Sequence, residues 1–154
     1  MKKVILLALV ACVMLPAASA TAQVDSYIEM LRTDVRAEKV AVITEVMEFT
    51  DEESAAFWPI YREFELELAK IFDMRLANIK KYAENYESID DALADELIKT
   101  SFKNSDKRQK LLTSYYKKFS KALGAKRAAK FMQLEHQIDL LIDLQIAANL
   151  PLVE

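Results

Sequence analysis

Glycine is almost missing from this 154-residue chain: Gly124 is the only one, beside three prolines, one cysteine and one histidine. Dinucleotide-binding loops and P-loops need several glycines for close backbone approach to phosphate, so those nucleotide-binding folds are excluded. Sheets and barrels consume Gly and Pro at every corner, and average usage is about 7% for glycine alone. A chain this poor in turn residues, with 53% apolar and 29% charged side chains, is expected to be all-α with few turns. Its length suits one domain.

The N-terminus carries three successive signals. Met1, Lys2 and Lys3 are followed by an apolar run of 12 residues, Val4 to Leu15, and by the small-residue stretch Pro16 to Ala22. That order is a bacterial-style secretory signal, with cleavage after Ala20 or Ala22. The run would cover about 18 Å as a helix, short of the roughly 30 Å hydrocarbon core. No later stretch is long and uncharged enough to span a membrane, so residues 23–154 are expected as a single periplasmic helical domain without a transmembrane segment. Leu9, Val10, Ala11, Cys12 has the look of a lipoprotein box, but the apolar run continues through Val13, Met14 and Leu15, which favours simple cleavage. Loss of Cys12 leaves no thiolate nucleophile, disulfide or Cys-ligated zinc.

Four helices are expected. The first runs from about Asp25 to Met47, with Ile28, Leu31, Val35, Val42 and Val46 near helical spacing. Thr50, with Asp51 and Glu52 in the first turn and Glu53 at the third helical position, forms a T-x-x-E capping box that starts the second. Its apolar face is Phe57, Tyr61, Phe64, Leu68, Phe72, Arg75, Ile79, Tyr82, Tyr86, a spacing of about 3.6 residues, the straight-helix period. Pro59 predicts a kink near Ala55 to Trp58. Ser88 is expected to cap a third helix ending near Leu123, with Ile98, Phe102, Ser105, Gln109, Leu112, Tyr116, Phe119 and Leu123 as its seam. Gly124 suits a left-handed residue past that end. A fourth helix, to about Asn149 before Pro151, has the seam Ala128, Phe131, Leu134, Ile138, Leu141, Gln145, Ala148. Short connections predict antiparallel hairpins, elongated, closing into a bundle or staying an open, curved sheet of helices.

Charge is unevenly spread. Asp25 to Ile98 holds 19 acidic and 8 basic residues, whereas Lys99 to Lys130 holds 11 basic and one acidic. Lys103, Lys107, Lys110, Lys117 and Lys121 form a stripe on the third helix, expected opposite its apolar seam. One reading is a solvated face paired with acidic helices of the same molecule or a second subunit. The other is a docking surface for acidic or partly unfolded proteins, or for anionic lipid. Nucleic acid fits neither the compartment nor the acidic remainder.

Chemistry-bearing constellations are sparse. His136 shares a helical face with Met132, Asp139 and Asp143, so a metal or haem site can be drawn, yet a solvated histidine explains it more simply. Di-iron bundles need Glu-x-x-His, and residue 133 is Gln. Ser101, Ser105, Ser114 and Ser120 lack a nucleophile elbow. No enzyme activity and no cofactor are therefore expected. Arg75 interrupts an apolar face, where its stem packs and its head seeks a carboxylate. Phe57, Trp58, Pro59, Ile60, Tyr61 makes an aromatic knot in which Trp58, off the main seam, is a candidate contact anchor.

On Phe49, Thr50, Asp51, Glu52, Glu53, then Phe57 to Tyr61, and the later Lys130, Phe131, Met132, Gln133, Leu134, Glu135, the chain resembles the Spy/CpxP-like periplasmic family of LTxxQ-motif proteins. Ile89 to Leu93 occupies a second similar helix start. Phe49 and Glu53 stand where the motif has Leu and Gln. The resemblance implies a four-helix hairpin-like protomer, a curved homodimer, and ATP-independent binding of unfolded or partly folded envelope proteins. The matching client-binding residues would be Lys103, Lys107, Lys110 and Lys117 beside Tyr115, Tyr116 and Phe119, with Trp58. The alternative is a regulatory binding module docking on the periplasmic domain of a sensor kinase. One histidine and no mature cysteine disfavour the family's zinc-binding branch.

Overall fold

Two cap signals place the long helices. The computed structural model describes residues 38–148 and 150; among these are four α-helices, one 3-10 turn and no strand. Helix α1 is described over residues 38–47. The expected signal peptide, Cys12 and the start of the first helix lie outside the described residues. Helix α2 spans Asp51–Asn85, and the Thr50 hydroxyl accepts from the Glu53 N–H at 3.2 Å while the Glu53 carboxylate accepts from the Thr50 N–H at 3.1 Å. The capping box is complete. Helix α2 then runs through Pro59 without a break; Ala55, whose carbonyl loses its amide partner there, is exposed.

A 3-10 turn, Tyr86–Ser88, leads to α3, Asp91–Leu123. The cap is Asp90, not the expected Ser88: its carboxylate accepts from the Leu93 N–H at 2.8 Å. Ser88 closes the preceding turn instead, its hydroxyl donating to the Asn85 carbonyl. Gly124 joins α3 to α4, Ala125–Ala147. Its φ of 83° and ψ of 155° lie outside the expected left-handed helical region but within territory that glycine alone enters freely.

Helices α2 and α3 form an antiparallel hairpin, tied by Lys118 to Glu63 at 3.0 Å and by Lys81 to Glu96 at 2.5 Å. Helix α4 turns back along α3 and leans on α2, as the Phe131 contacts with Phe119 and Phe57 show, at 4.7 and 5.0 Å between centroids. Helix α1 runs antiparallel to α2, its Ile43 and Met47 fully buried in the same cluster. The all-α hairpin architecture is therefore as expected. At about 1.5 Å per residue, α2 and α3 are rods of order 50 Å and α4 of about 35 Å. The tip of the α2–α3 hairpin thus extends past the end of α4.

Two seams are rotated from their expected faces. On α1 the buried positions are Lys39, Ile43 and Met47, while Val42 and Val46 are exposed. On α3 they are Leu97, Asn104, Tyr115 and Phe119, whereas Ile98, Phe102 and Tyr116 are exposed. Each rotation is about one residue, or 100°. Apolar counting misses it because Lys39 and Arg108 face inward to carboxylates.

Candidate functional site

The exposed lysines of α3 do not lie opposite its buried seam. Lys103, Lys107 and Lys110 directly precede Asn104, Arg108 and Leu111, so the stripe runs beside the seam, about 100° from it. There it borders an open groove between α2 and α3, lined by Glu67, Lys70, Ile71, Met74, Lys107, Lys110 and Leu111. The Lys107 ammonium rests 3.1 Å from the Met74 sulfur, and Lys110 pairs with Asp106 at 2.6 Å. Lys103, Lys117 and Lys121 are exposed and have no ion-pair partner among the described residues.

The aromatic candidates separate. Tyr116 is exposed, whereas Tyr115 and Phe119, offered as client-binding residues, are buried in the core, Phe119 as its place on the apolar seam predicts. Phe119 stacks among Phe57, Phe64 and Phe131, and Tyr115 lies 5.3 Å from Phe64. Trp58 is half-buried, its indole N–H donating to the Ser54 hydroxyl at 2.9 Å and its ring edge-on to Phe57 and Tyr61. Above Tyr115 the Lys118 ammonium sits 4.2 Å from the ring centroid. Its bond to Glu63, strengthened by Tyr115, raises the Lys118 pKa.

Inside the bundle lies an arrangement that sequence reasoning missed. Glu135, Asp139 and Asp143 occupy one face of α4 at successive turns, and each meets a base from a different helix. Lys39 of α1 reaches Glu135 at 2.9 Å and also Glu65 of α2 at 2.6 Å. Arg108 of α3 meets Asp139 at 3.0 Å, and Arg75 of α2 bonds Asp143. Arg75 thus finds its carboxylate, on α4. Burial pushes the Glu135 carboxyl up despite Lys39, and pushes Asp139 up despite Arg108. Burial also disfavours the Lys39 charge, but Glu135 and Glu65 overcome it and its pKa is raised. The second Glu135 oxygen, the Asn104 side-chain nitrogen and Arg108 Nη2 are buried without a hydrogen-bond partner, so Arg108 meets Asp139 as an ion pair and not as a hydrogen bond.

Two acids of the drawn His136 site are thereby engaged by arginines, and His136 itself is exposed. No group of three His, Cys, Asp or Glu among the described residues could hold a metal. None of the described helices is long and apolar enough to cross a membrane. A second missed residue, Arg127, grips Glu53 at 2.6 and 2.8 Å and the Glu48 carbonyl at 3.2 Å. It holds the Glu53 carboxyl below the usual range, helped by the Thr50 N–H. Glu48 has a φ of 47°, a left-handed turn that the Arg127 contact spans. Comparison with family models, with curated proteins and with solved structures finds no match.

Proposed function

We propose that this protein is an exported, periplasmic holdase that binds partly unfolded envelope proteins without ATP. The observation that carries the reading is the row of exposed lysines beside an apolar-floored groove. Ile71, Met74 and Leu111 offer apolar surface, and Lys70, Lys107 and Lys110 rim it. An unfolded chain exposes apolar side chains among charged ones, and lysine ammonium groups on flexible stems adapt to many such partners. The N-terminal signal and the resemblance to the Spy/CpxP-like family support the compartment and the class. The surface consists of Lys103, Lys107, Lys110 and Lys117, which a homodimer would double; exposed Tyr116 follows buried Tyr115 and flanks the seam on its other side.

The test follows light scattering of a denatured periplasmic protein with the chain from Gln23 to Glu154 added at up to a few copies per client. Suppression of aggregation is expected, weaker at high salt because exposed charges are screened. It should be lost when Lys103, Lys107 and Lys110 are changed to Glu. No suppression by folded protein at any ratio would overturn the holdase reading and favour the sensor-docking module, which a pull-down would show as one specific partner.

A further inference from the structure

The character of α4 changes at Glu135. Before it, Ala128, Phe131 and Leu134 are buried in the aromatic core. After it, no described side chain of α4 is fully buried. Asp139 and Asp143 turn inward, with Ile138, Ile142 and Ile146 half-buried beside them. Leu140, Leu141 and Leu144, at 52%, 64% and 67% exposed, turn outward. The inward face of this half mixes two aspartates with half-buried isoleucines, and its leucines face water. Hydrophobic burial fastens it only in part: Ile142 and Ile146 are half-buried, while three leucines of the same size stay wet.

We propose that residues 139–147 are an ionically latched arm, held by Arg108 to Asp139 and Arg75 to Asp143 and released as a unit when those two contacts weaken. Both pairs reach solvent, with side-chain exposures of 22% and 22% for the first and 34% and 43% for the second. Pairs so placed are screened by salt, unlike the aromatic packing that fixes residues 128–135. The boundary is set by Glu135, which is 2% exposed and tied to Lys39. Beyond it, exposed His136 and Gln137 lead into the arm. The two arginines come from α2 and α3, so the latch also clamps the hairpin where α4 ends.

Amide hydrogen exchange of the whole chain tests this, in sodium chloride from about 0.01 to 1 M, across which the screening length falls from about 30 to about 3 Å. Exchange in 139–147 should rise about threefold or more with salt, while 125–135 and 51–72 stay protected. At low salt Arg108→Met and Arg75→Met should each raise arm exchange about threefold, both keeping most of the side-chain stem. The swap Arg75→Asp with Asp143→Arg should restore protection. Three outcomes overturn the latch: arm exchange indifferent to salt and to both variants, exchange already complete at low salt, or exchange rising together with 125–135.

Discussion

The two halves of α4 solve the same problem in opposite ways. Near Gly124 it buries Ala128, Phe131 and Leu134 among Phe57, Phe64, Phe119, Ile43 and Met47. From Glu135 onward the inward face carries three acids, each answered by a base from another helix, beside half-buried Ile138, Ile142 and Ile146. The first half gains from area and dispersion, which need no exact partner, with each aromatic pair adding about 0.5–1.5 kcal/mol beyond burial. The second half gains little net energy, since desolvation offsets Coulomb attraction, but removing one partner leaves a buried charge. The aromatic end therefore supplies most of the stability, while the charged half adds contacts that each need one particular partner.

The largest effects should come from the aromatic end. Phe131→Ala or Phe119→Ala is expected to cost about 3–5 kcal/mol in urea unfolding. Lys39→Met should cost about 3 kcal/mol by stranding Glu135 and Glu65, yet Lys39→Met with Glu135→Leu and Glu65→Gln should recover most of that loss. A triple variant as unstable as the single one would mean the charged half contributes stability after all. Smaller again, Thr50→Ala should cost about 1 kcal/mol through the lost cap.

Acid should sharpen the contrast through sign. Glu53, held down by Arg127, contributes stability that is present above its ordinary 4.5 and lost as pH falls through its lower folded value. Glu135 and Asp139 are pushed up, so the folded state takes protons first and stability rises as pH falls through their folded values toward 4.5 and 3.8. Urea unfolding across that range should show Glu135→Gln losing the mild-acid gain and Glu53→Gln losing the later fall. The same slope in both variants would dissolve the distinction.

What could be read in advance was local. The Thr50 capping box needs only four consecutive residues, and α2 begins and ends where caps and spacing put it. The Phe57, Tyr61, Phe64 face is buried as counted. The α3 cap fell two residues away because Ser88 and Asp90 both carry a capping oxygen, and only the conformation of the turn chooses between them. Of the candidate binding residues the lysines are exposed; Phe119 is buried on the seam as counted, and Tyr115 is buried in place of Tyr116 because a rotation of one residue moves a side chain by about 100°.

By itself the sequence determined helix class, both ends of α2, the α3–α4 junction at Gly124 and the uneven charge along the chain, because capping and periodicity act over one or two turns. Tertiary structure alone decided which polar residues face inward. Lys39 meets Glu135 across 96 positions and Arg127 meets Glu53 across 74. An isolated helix exposes such residues to water, and only a carboxylate brought alongside by another helix makes burying a lysine or arginine tolerable.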